Sequence, residues 1–103
     1  MKLVMDVVPN HCSVSHPWMK NLPLTDWVHP VPDTSTRTLA ITAWNDPYVS
    51  KRDFDLNRNG WFSPLMPDMN QSNEKVLRYL AQNVIWWIEY AGLDGLRVDT
   101  CPY

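Results

Sequence analysis

Polar side chains that could do chemistry gather at the ends of two short apolar segments. Asp6, Asn10 and His11 accompany the first segment, and Arg97 and Asp99 the second. On a β-strand, Arg97 and Asp99 would leave the same face, because they are two positions apart. Arg97 would favour the ionised form of Asp99, and an ionised carboxylate in a cleft can be a nucleophile, a metal ligand or an electrostatic stabiliser. A buried structural ion pair is the alternative interpretation.

The elements that must position these residues are predicted to form a βαβ unit. Residues 3–8 are nearly all apolar, which is typical of a strand buried on both faces. Asp6 is the only acid in this run and needs a partner, for which Arg97 is available. Residues 73–91 have apolar side chains at helical spacing, and residues 96–99 alternate as in a second strand. The candidate caps of the helix are Ser72 or Asn73 at its start and Gly92 at its end.

A proline- and tryptophan-rich insertion, residues 12–72, separates the first strand from the helix. A loop of this length in a compact domain is usually functional, and we expect its own aromatic side chains to pack it. Residues 38–42 could form one short strand within it. His16 and His29 have no partner pattern and are predicted to be ordinary loop residues. The insertion's tryptophans, which we expect to form its own core rather than to stack on sugar rings, are Trp18, Trp27, Trp44 and Trp61.

The composition excludes several classes of partner. Nine Lys and Arg against eleven Asp and Glu give a net charge of −2, without the basic stripe of a nucleic-acid-binding protein. The apolar runs are too short for a membrane span. Cys12 and Cys101 are expected to be free thiols that behave as small buried hydrophobes, so cysteine usage leaves the compartment open. Two parallel strands and one helix cannot bury their faces, which indicates a piece of a larger α/β fold.

Three short motifs occur in a characteristic order. They are Asp6-Val7-Val8-Pro9-Asn10-His11, Met66-Pro67-Asp68-Met69-Asn70 and Gly95-Leu96-Arg97-Val98-Asp99. They resemble motifs of the α-amylase family, glycoside hydrolase family 13, with the middle one in the form met in neopullulanase- and cyclomaltodextrinase-like members. The resemblance implies an α/β fold, a partial (β/α)8 TIM barrel. In it, residues 1–103 would span the third to fourth strands, and residues 12–72 would be the small domain inserted after the third strand.

The resemblance also implies roles for the site residues. Asp99 would be the nucleophile of a retaining glycosidase, and Arg97 would orient it and hold it ionised. His11 would hydrogen-bond the sugar beside the cleaved bond, and Asp6 would bond to Arg97. Asn10 and Asp68 would be structural residues at the site.

The implied activity is that of a retaining hydrolase or transglycosylase acting on α-1,4 or α-1,6 glucosidic bonds of α-glucans, maltooligosaccharides or cyclodextrins. The family's acid/base is a glutamate after the fifth strand, whereas Glu74 and Glu89 lie on the predicted helix. We therefore expect the isolated chain to be inactive. Pro102 and Tyr103 stand where α-amylases proper commonly have Lys-His, which favours the neopullulanase-like branch. The alternative is a non-catalytic α-amylase-like scaffold or glucan-binding protein, although Asp99 together with its partners favours an enzyme.

No cofactor is required by this chemistry, but two places could bind calcium. Residues 55–60 reproduce the first half of a calcium-loop pattern, although Met66 occupies the position of the expected bidentate glutamate. Asn59-Gly60 is equally a hairpin-turn signal. The resemblance adds Asn10, a calcium ligand in many α-amylases. The candidate ligands are thus Asn10, Asp55, Asn57 and Asn59.

Overall fold

The computed structural model describes residues 1–31 and 46–101 of the chain. In chain order these residues form strand β1 (Val4–Val7), helix α1 (Lys51–Asn59), helix α2 (Glu74–Ala91) and strand β2 (Gly95–Val98), with one 3₁₀ turn at Pro17–Met19. The predicted strand at residues 38–42, Trp44, Pro102 and Tyr103 lie outside the described residues. Neither described helix combines the length and apolar character needed to cross a membrane.

Strands β1 and β2 pair in parallel, which confirms the βαβ prediction. Asp6 lies opposite Arg97 in the register, and the Asp99 N–H extends the pairing by donating to the Val7 carbonyl at 2.8 Å. The expectation that β1 is buried on both faces is wrong for the described chain, in which Val4 is exposed. The reason is that the sheet has only these two strands within the described residues.

Helix α2 begins and ends as the sequence predicts. The Asn73 side chain accepts a hydrogen bond from the Lys75 N–H at 2.9 Å, and Gly92 ends the helix in the left-handed region at a φ of 60°. The aliphatic side of α2 lines a cavity of about 790 Å³ that Leu96 and Val98 of β2 also line. Trp87 of α2 keeps an exposed side chain among the described residues.

Helix α1 was not predicted, and the hairpin turn expected at Asn59-Gly60 is wrong. Asn59 is the last residue of the helix, and the Gly60 N–H donates to the Leu56 carbonyl. The local signal is at the other end, where Ser50 Oγ accepts from the Asp53 N–H at 3.1 Å and donates to the Asp53 carboxylate at 2.8 Å. A hydroxyl residue followed three positions later by an acid is an N-terminal capping pattern.

The hydrophobic core lies where the insertion meets the start of α2. Its buried members are Trp27, Val28, Met69 and Val76, and partly buried residues, most of them from the insertion, pack around them. Trp18 and Trp27 contact each other and Tyr79 of α2 edge to face, a geometry that aromatic quadrupoles favour. With Trp61 also buried, the prediction that the insertion's tryptophans form its own core is confirmed for the three that the structure describes.

Both cysteines are free thiols, as expected. Cys12 packs against the core, and burial raises the pKa of its thiol. Cys101 is exposed, so the expectation that both behave as buried hydrophobes holds for Cys12 alone. Cys101 follows Thr100 beyond the end of β2, where no described residue covers its side chain.

Candidate active site

Arg97 binds two carboxylates at the carboxyl ends of the paired strands. Its Nη1 donates to both carboxylate oxygens of Asp6, at 2.9 and 3.1 Å, and its Nη2 lies 2.7 Å from Asp99 Oδ1. The hydrogen bond to Asp6, with the charges of both acids, raises the pKa of Arg97. The side chains of Asp6, Arg97 and Asp99 are 57%, 61% and 37% exposed. Within the described chain this cluster is therefore open to solvent.

The backbone on both sides of Asp99 is held in place. Its N–H donates to Val7 of the neighbouring strand, and the following residue, Thr100, has a φ of 52°. Among the described residues, Thr100 is the one non-glycine residue with a positive φ. A β-branched residue in this region carries strain of roughly 1–3 kcal/mol, and such strain clusters at functional sites. The chain turns directly after Asp99, and this turn was not predicted.

Asn10 and His11 lie in the loop that follows β1. Asn10 is buried, and its carbonyl accepts hydrogen bonds from the Met69 N–H at 2.9 Å and from Gln71 Nε2 at 3.3 Å. His11 stacks on Phe62 with ring centroids 5.3 Å apart and planes 10° apart. The Asn10 amide lies 3.3 Å from His11 Nδ1. These contacts tie the loop to residues near the end of the insertion.

Asp68 has a partner that sequence reasoning missed. Nδ1 of His29 lies 2.6 Å from Asp68 Oδ2, and the two side chains are only 16% and 4% exposed. The prediction that His29 is an ordinary loop residue is therefore wrong. Burial raises the pKa of Asp68, against the hydrogen bond and charge of His29 and the charge of His11. No sequence signal joins the two residues, because they are 39 positions apart in a segment without regular spacing.

The calcium-loop prediction for residues 55–60 does not match the observed conformation. Asp55, Asn57 and Asn59 lie in helix α1, where residues two positions apart point in very different directions and do not converge on one ion. Asp55 pairs instead with Lys51 on the same helix. In residues 1–31 and 46–101, no three His, Cys, Asp or Glu side chains form a group that could hold a metal ion.

Comparisons with known proteins identify the family. The model of the α-amylase family, described as the α-amylase catalytic domain, matches residues 1–103. The chain belongs to the α-amylase family. It is 32% identical over 117 residues to a probable oligo-1,6-glucosidase of Bacillus subtilis, and all of this chain covers 20% of that protein. It is 33% identical over 107 residues to the cyclomaltodextrin glucanotransferase of Klebsiella oxytoca, and all of this chain covers 16% of that protein.

A solved α-amylase extends the likeness to the fold. The crystal structure of the Geobacillus thermoleovorans α-amylase in complex with acarbose matches 99% of this chain and 20% of its own, with a TM-score of 0.72 and 31% identity. That protein is a TIM barrel, and the βαβ unit described above is consistent with part of such a barrel. The chain spans a fifth or less of the length of each of these α-amylase-family proteins.

Proposed function

We propose that this chain is the segment of a retaining α-glucan hydrolase or transglycosylase that supplies the nucleophile, Asp99. The observation that carries the proposal is the bridge that Arg97 makes between Asp6 and Asp99 at the carboxyl ends of adjacent parallel strands. Active sites of TIM barrels lie at this end of the strands. A guanidinium 2.7 Å from Asp99 fixes the orientation of that carboxylate, as a nucleophile requires.

In the proposed reaction, Asp99 attacks the anomeric carbon while the glycosidic bond breaks, and the leaving sugar oxygen takes a proton from a general acid. Water or an acceptor sugar then displaces Asp99 from the covalent glycosyl intermediate and gives its proton to the same group, now acting as base. Retention needs a second carboxyl group about 5–5.5 Å away as acid and base. Glu74 and Glu89, the only glutamates of this chain, both lie on α2 rather than after a strand. The acid/base would therefore come from the rest of a whole protein, and the isolated 103 residues would not turn over substrate.

The proposal also assigns the parts of the chain. Residues 1–103 would be a partial catalytic barrel covering its third to fourth strands, and residues 12–72 would be the domain inserted between them. The buried tryptophans of the insertion and their contacts with α2 support this assignment, because they give the insertion a core of its own at its junction with the barrel segment. His11, beside Asn10 at the end of β1, would bind the sugar next to the cleaved bond.

We further place the whole protein in the neopullulanase- and cyclomaltodextrinase-like branch, with short maltooligosaccharides or cyclodextrins as substrates. The motif at residues 66–70 supports this branch, as does the likeness to a cyclomaltodextrin glucanotransferase. Initial rates on cyclodextrin, pullulan, maltotriose and isomaltose would test it. A strong preference for long starch chains over all four would contradict the branch but leave the role of Asp99 intact.

Covalent trapping tests the central proposal. The whole protein is incubated with a glucosyl fluoride carrying a second ring fluorine that slows release of the intermediate, and the peptides are then mapped by mass spectrometry. The label is expected on Asp99 in the wild type and in a D94N control, and to be absent in D99N. A folded protein that binds maltooligosaccharides but never acquires the label would instead support the non-catalytic, glucan-binding alternative.

A further inference from the structure

The pair formed by His29 and Asp68 lies outside the Asp6–Arg97–Asp99 cluster and has no role in the proposed chemistry. A nearly buried carboxylate is costly unless it is paired and hydrogen-bonded, and Nδ1 of His29 at 2.6 Å supplies that partner. The pairing joins two distant parts of the insertion, one near its start and one near its end. A contact of this kind fixes the positions of the other residues in those two segments.

The backbone around Asp68 holds the segments of both His11 and His29. Asp68 forms an antiparallel bridge with His11 on one side, where the Cys12 N–H donates to the Pro67 carbonyl at 3.0 Å. On its other side, the His29 N–H donates to the Asp68 carbonyl at 2.9 Å. Residues 66–70 are therefore the middle of three adjacent extended segments, and the loop carrying His11 is an outer one.

Two aromatic residues close the same region. The Trp61 Nε1–H donates to the His29 carbonyl at 3.0 Å, and the next residue, Phe62, stacks on the ring of His11. One short stretch of chain thus contacts both histidines. Displacing His29 would act on His11 along two routes, through Asp68 and through the pair of aromatic residues.

We propose that His29 is a positioning residue for the reaction, which acts through Asp68 to hold His11 in its sugar-binding orientation. The inference rests on the proposed function, in which His11 contacts the sugar beside the cleaved bond. His29 itself need not touch substrate. Its contribution is made through the carboxylate of Asp68 and the three extended segments, which set where the His11 ring can lie.

A double-mutant cycle in the whole protein tests the coupling. With a nitrophenyl α-maltoside as substrate, H29A is expected to lower kcat/KM about tenfold to a hundredfold, because a small misplacement of a positioning group is costly. In the H11A background, the same H29A change should have an effect of about twofold or less, since the group that it positions is gone. Equal effects of H29A in both backgrounds would overturn the proposal.

Two further variants separate positioning from simple loss of stability. H29N places an amide N–H near the position of Nδ1, so it should restore most of the activity that H29A loses. H16N is the matched control, since His16 is a histidine of the same insertion whose side chain accepts from the Trp18 N–H and does not contact Asp68. A loss in H16N as large as that in H29A would contradict a specific role for His29.

A second measurement does not depend on activity. Diethyl pyrocarbonate modifies accessible imidazoles, and peptide mass spectrometry can follow His11 alone. H29A and D68N should each raise the modification rate of His11 by about tenfold, because its loop opens more often. An unchanged rate would overturn the positioning role even in a protein without hydrolase activity. Wild-type inactivity combined with a raised rate would instead overturn the proposed function and support the positioning role.

Discussion

Among the described residues, the Asp6–Arg97–Asp99 cluster and the His29–Asp68 pair differ in how far their side chains are exposed to solvent. At the strand ends, Arg97 joins Asp6 and Asp99 in the open, with all three side chains accessible to solvent. At the junction with the insertion, His29 and Asp68 form an equally close pair almost out of contact with water. Exposed ion pairs contribute little to stability, whereas breaking a buried pair leaves an uncompensated group. In the described chain, breaking the buried pair is therefore expected to cost more stability than breaking the exposed one.

The largest effect is expected from the exposed cluster. R97M should lower kcat of the whole protein about 10²–10³-fold, because Asp99 loses a preorganised cation. R97K should be nearly as damaging, since an ammonium cannot reach two carboxylates with a rigid fork. Thermal melting of the 103-residue chain should change little in either variant, since Arg97 is solvent-exposed there. An R97M protein that loses stability but keeps its kcat would show that the Asp6–Arg97–Asp99 cluster holds structure and does not take part in catalysis.

The next effect distinguishes the insertion's core from the exposed side of α2. M69A should lower the free energy of unfolding by about 2–5 kcal/mol, because it empties a fully enclosed site. L77A removes a side chain that is 55% exposed and should cost about 1 kcal/mol or less. Urea titration of the 103-residue chain, followed by tryptophan fluorescence, measures both. Equal costs would mean that the exposed side of α2 is packed in solution.

A smaller effect is expected from the pH dependence of the buried pair. Burial raises the pKa of Asp68 above its ordinary value of 3.8, so the folded chain binds this proton more tightly than the unfolded chain. Between 3.8 and the raised value, the free energy of unfolding therefore falls as pH rises. D68N should flatten that slope in melting temperatures recorded across this window. An unchanged slope in D68N would show that the dependence does not arise from Asp68.

The smallest effect is expected from the exposed pair of Lys2 and Asp94. The hydrogen bond from Lys2, with that from the Leu3 N–H, lowers the pKa of Asp94. Any stability from this pair is present above the ordinary pKa and is lost as pH falls through the lowered one. Because both groups meet solvent and salt screens them, K2A should leave the melting temperature at neutral pH unchanged within error. A clear fall in the melting temperature of K2A would show that solvent exposure does not predict how much an ion pair stabilises this chain.

The sequence predicted the features that depend on the regular spacing of residues close together in the chain. The helical spacing of residues 73–91 and the two-residue spacing of Arg97 and Asp99 placed α2 and the exposed cluster, and the single acid in β1 indicated its partner. The sequence did not predict the pairing of His29 with Asp68, because it depends on three segments meeting in the folded chain. Helix α1 was not predicted although a capping pattern marks its start, because Phe54 and Leu56 are its only apolar residues and form no helical apolar spacing.

The hydrogen bond between Trp61 and the His29 carbonyl also constrains the segment of chain between these two residues. It joins residues 29 and 61, so the two ends of the intervening stretch, residues 30–60, lie close to each other. Lengthening a closed loop costs only about 0.6 kcal/mol for each doubling of its length. A change of length between residues 30 and 60 should therefore have little effect on the position of the loop bearing His11.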